Sequence, residues 1–156
     1  MQVYTLVGKS GSGKSFHAME LCKKKQIDGI IDDGLFIYQN TIVAGVSAKR
    51  SQTKIGAVKV ALFLDSASCK EVKAAIEERQ PGSILVLGTS VEMVDKIIRR
   101  LGLPMPEADS PRRIRIEDIT TEEERKVARQ QRDKLGKHVI PAPALQLKHN
   151  FAGYFM

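Results

Sequence analysis

Val3-Tyr4-Thr5-Leu6-Val7-Gly8-Lys9-Ser10-Gly11-Ser12-Gly13-Lys14-Ser15 opens the chain with an apolar, partly β-branched run that stops at a glycine and passes into a turn rich in glycine and serine. Val3 to Val7 reads as a buried strand bounded by Gly8. From Lys14 to Lys25 the residues are helix formers. Phe16, Ala18, Met19 and Cys22 supply an apolar face, and three lysines close the last turn, where cations complement the helix dipole. Gly8 to Ser15 fits the spacing G-x-x-x-x-G-K-[ST] in full, with the strand before and the helix after that such a loop requires. Its glycines let the backbone curl so that successive N–H groups point inward at phosphate oxygens, and the helix N-terminus adds partial positive charge. Gly8, Lys9, Ser10, Gly11, Ser12 and Gly13 therefore form a candidate phosphate cradle. Lys14 is expected to reach the β- and γ-phosphates, and the Ser15 hydroxyl to ligate Mg²⁺. The ligand implied is a nucleoside triphosphate, ATP with magnesium.

Outward from this loop, strand and helix patterns alternate. Gly29-Ile30-Ile31 predicts a second strand with its acids at the end, running into the acidic turn Asp32-Asp33-Gly34, with Leu35 to Tyr38 as a short extension after it. Gln39 to Thr53 is rich in Ser, Gly, Lys and Arg and reads as irregular. Lys54 to Leu64 fits helical spacing at Ile55, Val58, Ala61 and Leu62, and it also contains an apolar run ending at Asp65; helix is the favoured reading. Ser68 with Glu71 forms a capping box for a helix to Arg79, and Pro81-Gly82 stops it. Ser83 to Gly88 is the strongest strand pattern in the chain, and Thr89 with Glu92 opens a helix to Leu101. Arg113 to Glu117 alternates like a half-exposed strand after a proline-containing loop. Thr120 with Glu123 starts a polar helix to Gly136, and Val139-Ile140 forms a last strand before a tail carrying Phe151, Tyr154 and Phe155, which reads as a packing anchor. Alternation of this kind predicts an α/β fold whose parallel sheet is covered on both faces.

A length of 156 residues suits one domain, 1–156, and 42% hydrophobic with 28% charged residues argues against a largely disordered chain. The net charge of +7 favours polyanionic partners such as nucleotides, nucleic acids or anionic lipid, without choosing among them. The basic residues are dispersed, so most belong to solvated surface. Cys22 and Cys69 lack disulfide or metal-ligand spacing, and His17, His138 and His149 read as structural or surface residues. With no apolar stretch long enough to span a bilayer and no signal pattern before the first strand, the chain is expected to be soluble and cytoplasmic, with no membrane partner.

On Gly8 to Ser15 the chain resembles the P-loop NTPase superfamily, and its size is similar to that of the small nucleotide and shikimate-type kinases. Gly136 to Pro141 and Gly153-Tyr154-Phe155 also resemble small bacterial P-loop proteins of unassigned function. The resemblance implies a three-layer sandwich with a mostly parallel sheet. It implies too that a carboxylate at a strand end positions the metal. Asp32 and Asp33 are the first candidates for metal and acceptor, since such acids in shikimate-type kinases hold metal-bound water or the acceptor hydroxyl. They are adjacent here, which leaves open which one points inward. Asp65 is the alternative if Val60 to Leu64 is a strand. Phosphoryl transfer further calls for cations, with Lys49-Arg50 and Arg112-Arg113 as candidates. No Asn-Lys-x-Asp guanine signature occurs, which favours ATP. The expected activity is phosphoryl transfer to an unidentified small acceptor. The alternative is a regulatory or nucleic-acid-associated ATPase or nucleotide-binding module, in keeping with a strand at Ile84 to Leu87 that ends in Gly88-Thr89-Ser90 instead of an acid. Nothing in the sequence sets the oligomeric state.

Overall fold

A computed structural model describes residues 1–119. The expected helix to Gly136, the strand at Val139-Ile140, the aromatic tail, His138 and His149 lie outside the described residues. Within them the chain is α/β. Strands β1 (Gln2–Val7), β2 (Gly29–Asp32), β3 (Leu35–Tyr38), β4 (Thr41–Gly45), β5 (Ser83–Gly88) and β6 (Arg113–Arg115) form one mixed sheet in the order β4-β3-β2-β5-β1-β6. The helices are α1 (Lys14–Lys25), α2 (Lys54–Ala61), α3 (Ser66–Arg79), α4 (Val91–Leu101) and the short α5 (Ile116–Ile119), with a 3₁₀ turn at Ala48–Arg50.

β5 is buried at every position and pairs in parallel with β1 on one side and β2 on the other. A strand covered on both faces reads as a continuous apolar run, as Ile84 to Leu87 does. The two-residue period of the strand then splits its side chains between two cores. Ile84 and Val86 pack with Val3, Ile31 and Phe36 against α3 and α4, while Leu85 and Leu87 pack with Leu6, Ile30 and Ile37 against α1 and Ile116. Full burial of each such aliphatic side chain stabilises the fold by about 1.5–3 kcal/mol.

Leu35 to Tyr38 does not extend the second strand but turns back on it. Asp33 and Gly34 have φ of 56° and 86°, the paired left-handed conformation of a two-residue type I′ hairpin. Gln39 and Asn40, at 51° and 67°, repeat the device and bring β4 back antiparallel to β3. The stretch expected to be irregular from Gln39 to Thr53 therefore contains a strand and a 3₁₀ turn. Its Thr41-Ile42-Val43-Ala44 core was masked by the polar residues that follow.

Lys54 to Ala61 is helical, so the helix reading holds and Val60 to Leu64 is not a strand. Helix starts differ from the expected caps. Asp65 caps α3 by accepting from the Ser68 amide at 3.1 Å, and Ser90 caps α4 by accepting from the Met93 amide at 3.1 Å. Asp65 lies three residues before the expected Ser68 and Ser90 one residue after the expected Thr89, and each holds the extended backbone that an N-cap needs. β6 ends at Arg115, and Ile116 to Ile119 is helical where strand was expected to continue to Glu117. Among the described residues no helix is long and apolar enough to cross a membrane.

Candidate functional site

The ends of the parallel strands meet at one edge of the sheet: Val7 lies in register with Gly88 on one side and Arg115 on the other, and β2 ends at Asp32 beside β5. In open α/β sheets ligands bind beyond such carboxyl ends. The loop from Gly8 to Gly13 springs from this edge and leads directly into α1. Gly8 is anchored by its amide, which donates to the Gly88 carbonyl at 3.1 Å. A side chain at Gly8 would stand 2.7 Å from Ile116 and 2.8 Å from the Ser12 hydroxyl, so only glycine lets the loop leave the sheet here. Gly11 and Gly13 have φ of 77° and 88°, the left-handed backbone that reverses the chain into the helix.

Gly13 is the N-cap of α1 and has no side chain to bond the first-turn amides, and that turn holds no acid. Its N–H groups and partial positive charge thus open on the loop. The Ser12 hydroxyl oxygen is buried with no hydrogen-bond partner, an orphan of the kind that a phosphate oxygen would satisfy. Lys14 folds back, its Nζ donating to the Gly8 carbonyl at 2.6 Å and the Lys9 carbonyl at 3.0 Å. Burial lowers the pKa of this amine from its ordinary value, and the nearby Asp32 carboxylate partly offsets that effect. A cation from the first loop and a carboxylate from the end of β2 are thereby brought together. His17, buried under the loop in α1 with Nδ1 3.3 Å from a Glu20 carboxylate oxygen, is a packed residue as its lack of metal spacing implied.

The adjacent acids take different places. Asp33 sits in the type I′ turn, where its carboxylate accepts from the Ser47 hydroxyl at 2.7 Å and its carbonyl accepts from the Ala48 amide at 3.0 Å. It fastens the β2–β3 turn to the segment after β4. Asp32, the last residue of β2, is the acid that acts on Lys14. Ser47 went unnoticed in the sequence because it lies in the stretch read as irregular. Asp65 ends no strand and serves as a helix cap.

The two cation pairs also separate. Lys49 and Arg50 occupy the exposed 3₁₀ turn that Asp33 tethers. Arg112 donates through Nε to the Val3 carbonyl at 3.2 Å. Arg113 donates to Asp95 at 2.8 Å and to the Glu107 and Pro106 carbonyls at 3.0 and 2.9 Å. Those two arginines are joinery. Arg115, overlooked in the sequence, is the exposed cation at the end of β6 and in register with Val7; the strand alternation was the signal that could have separated it from Ile114.

By their chemistry the residues present suit a phosphate group, with backbone donors and Lys14 for the anion, and the Ser15 hydroxyl and the Asp32 carboxylate are oxygen donors of the kind that magnesium takes. Among the described residues no three of His, Cys, Asp or Glu cluster as a metal site of their own. A magnesium site of this type takes only one or two protein ligands and completes its shell with phosphate and water. A cavity of about 390 Å³ lies at the opposite end of β2 beside Asp28, Gln39 and Asn40, away from the loop. A phosphate cradle is a ring of amides rather than a deep hole, so cavity size does not locate it. No family model, no curated protein and no solved structure matches the chain, so its functional edge is read from its own residues alone.

Proposed function

We propose that the chain binds Mg-ATP at the C-terminal edge of its sheet, in a three-layer P-loop arrangement with a mostly parallel core, and transfers the terminal phosphoryl group to a small acceptor. The observation that carries this reading is the meeting of the Gly8–Ser15 loop, its orphaned Ser12 hydroxyl and its Lys14 amine with Asp32 at the end of β2. ATP would supply the transferable group, and a bound Mg²⁺ would offset the charge on its phosphates. The loop amides and the first turn of α1 hold the phosphates. Lys14 exchanges the Gly8 and Lys9 carbonyls for phosphate oxygens. Ser15 and Asp32 position the metal, directly or through water, and Asp33 holds the turn that presents Asp32. An acceptor hydroxyl attacks the γ-phosphorus as the bond to the β–γ bridging oxygen breaks. ADP leaves, and the hydroxyl proton passes to a carboxylate or to water.

Three observations favour the second reading, a nucleotide-dependent regulatory or nucleic-acid-associated module. β5 ends without an acid, the Ser90 hydroxyl is spent on capping α4, and Arg112 and Arg113 are engaged in packing. Turnover by the purified chain with and without small hydroxyl acceptors and nucleic acids separates the two. Stimulation by one small acceptor, with its phosphorylated product, supports the kinase. Stimulation by nucleic acid, or slow hydrolysis indifferent to acceptors, supports the module. Absence of magnesium-dependent ATP binding sinks both.

A further inference from the structure

α2 is the anomaly of the fold. Its sequence Lys54-Ile55-Gly56-Ala57-Val58-Lys59-Val60-Ala61 is largely apolar, yet none of its residues is buried. Ile55 is 71% exposed and Val58, one turn along on the same face, is 54% exposed; Leu64 just beyond the helix is 49% exposed. Isolated apolar residues on a surface are ordinary, but a helix that turns its branched aliphatic side chains outward contributes little to its own core. The helix is nevertheless well formed. Thr53 caps it by accepting from the Gly56 amide at 2.9 Å, and it rests on the hairpin turn, where a side chain at Gly34 would meet Val60 at 2.8 Å.

The segment that carries this face has charge of one sign. Between Asp33 and Asp65 the chain carries no acid and four cations, Lys49, Arg50, Lys54 and Lys59. All four are exposed, and Lys54 and Lys59 flank the Ile55–Val58 ridge on α2 itself. We infer that the Ile55–Val58 face of α2 is a docking surface for an acidic amphipathic segment of a partner protein. Aliphatic anchors of that segment cover Ile55 and Val58 while its carboxylates meet Lys54 and Lys59. Two other polyanions fit less well. A nucleic acid gains little from exposed Ile and Val, and the face offers no aromatic side chain for base stacking. A lipid surface is usually held by longer helices with bulky apolar side chains, whereas α2 has eight residues, a rise of about 12 Å. The inference stands apart from nucleotide binding and uses none of the loop residues.

The test is fluorescence anisotropy of a labelled synthetic peptide with leucines at i, i+3, i+4 and i+7 and glutamates between them, titrated with the full chain. Saturable binding in about the micromolar range is expected, weakening as salt rises. Ile55→Ser with Val58→Ser, and separately Lys54→Glu with Lys59→Glu, should each weaken it at least tenfold while circular dichroism and melting temperature stay near the parent values. The same peptide with lysine for glutamate should not bind. No binding of the glutamate peptide below about 1 mM overturns the inference, as does equal affinity in the Ser pair. Tighter binding of a single-stranded oligonucleotide or of phosphatidylglycerol vesicles, lost in the Lys→Glu pair, reassigns the face to those ligands. Self-association of the chain that the Ser pair abolishes makes a second copy the occupant.

Discussion

Lys14 carries the sharpest expectations at the scale of single residues. Charge-assisted hydrogen bonds contribute about 1.5–3 kcal/mol, so Lys14→Ala should weaken Mg-ATP binding roughly ten- to a hundredfold by titration calorimetry. Unchanged affinity would remove the loop from the ligand. Ser15→Ala should lose chiefly the magnesium-dependent part of that affinity, and an equal loss with and without the metal contradicts its role. Asp32→Asn should likewise reduce the magnesium dependence, whereas Asp33→Asn should act first on stability, because its carboxylate is committed to Ser47. The lowered pKa of Lys14 also has a signature without ligand. Between the lowered value and 10.5 the folded chain binds fewer protons at this amine than the unfolded chain, so stability should rise with pH across that window. Below the lowered value both states are protonated and this group adds no slope. Urea unfolding of the parent and of Lys14→Met over the alkaline range compares the two slopes. Identical slopes would show that the amine is not desolvated.

Among the elements, the β2–β3 hairpin does most to shape the edge, since its turn presents Asp32 and holds Asp33. Gly34 has a positive φ, and a side chain there would run into the Val46 carbonyl and Val60. Gly34→Ala should cost about 1–3 kcal/mol in denaturant unfolding, by strain and overpacking together. Gly82 is the control, because an added Cβ there meets nothing within 4 Å and its φ is not positive. Gly82→Ala should be neutral or stabilise by up to about 1 kcal/mol through the unfolded chain. Equal effects at the two glycines would mean that the turn is not built as described.

At the scale of the molecule, Arg113 joins three segments, β6, α4 and the loop between them. From β6 it reaches Asp95 on α4 and the carbonyls of the loop at Pro106 and Glu107. Its side chain is 14% exposed and that of Asp95 21%, so truncation leaves a largely covered carboxylate without its partner. Arg113→Ala is expected to destabilise the fold by roughly 1–3 kcal/mol while leaving Mg-ATP affinity within about twofold of the parent. A selective loss of nucleotide affinity at unchanged stability would instead return Arg113 to the cations serving phosphoryl transfer.

The local pattern of the chain was enough to find the Gly8–Ser15 loop, the central strand Ser83–Gly88, the helix at Lys54–Ala61 and the α/β class. Each depends on residues near one another in sequence: glycines at fixed spacing, an unbroken apolar run, a helical period. The turn at Asp32-Asp33-Gly34 is legible there too, but not that β3 pairs back antiparallel on β2, because the partner of a strand has no local pattern. Tertiary structure alone separated Asp32 from Asp33, since their difference is made by Ser47 in a later element and by Lys14 in an earlier one. It likewise engaged Arg113 with Asp95, left Arg115 exposed at the edge, and turned Ile55 and Val58 outward. A side chain's role is set by what the fold places against it, and a contact between Arg113 and Asp95 or a bare face on α2 has no local pattern to announce it.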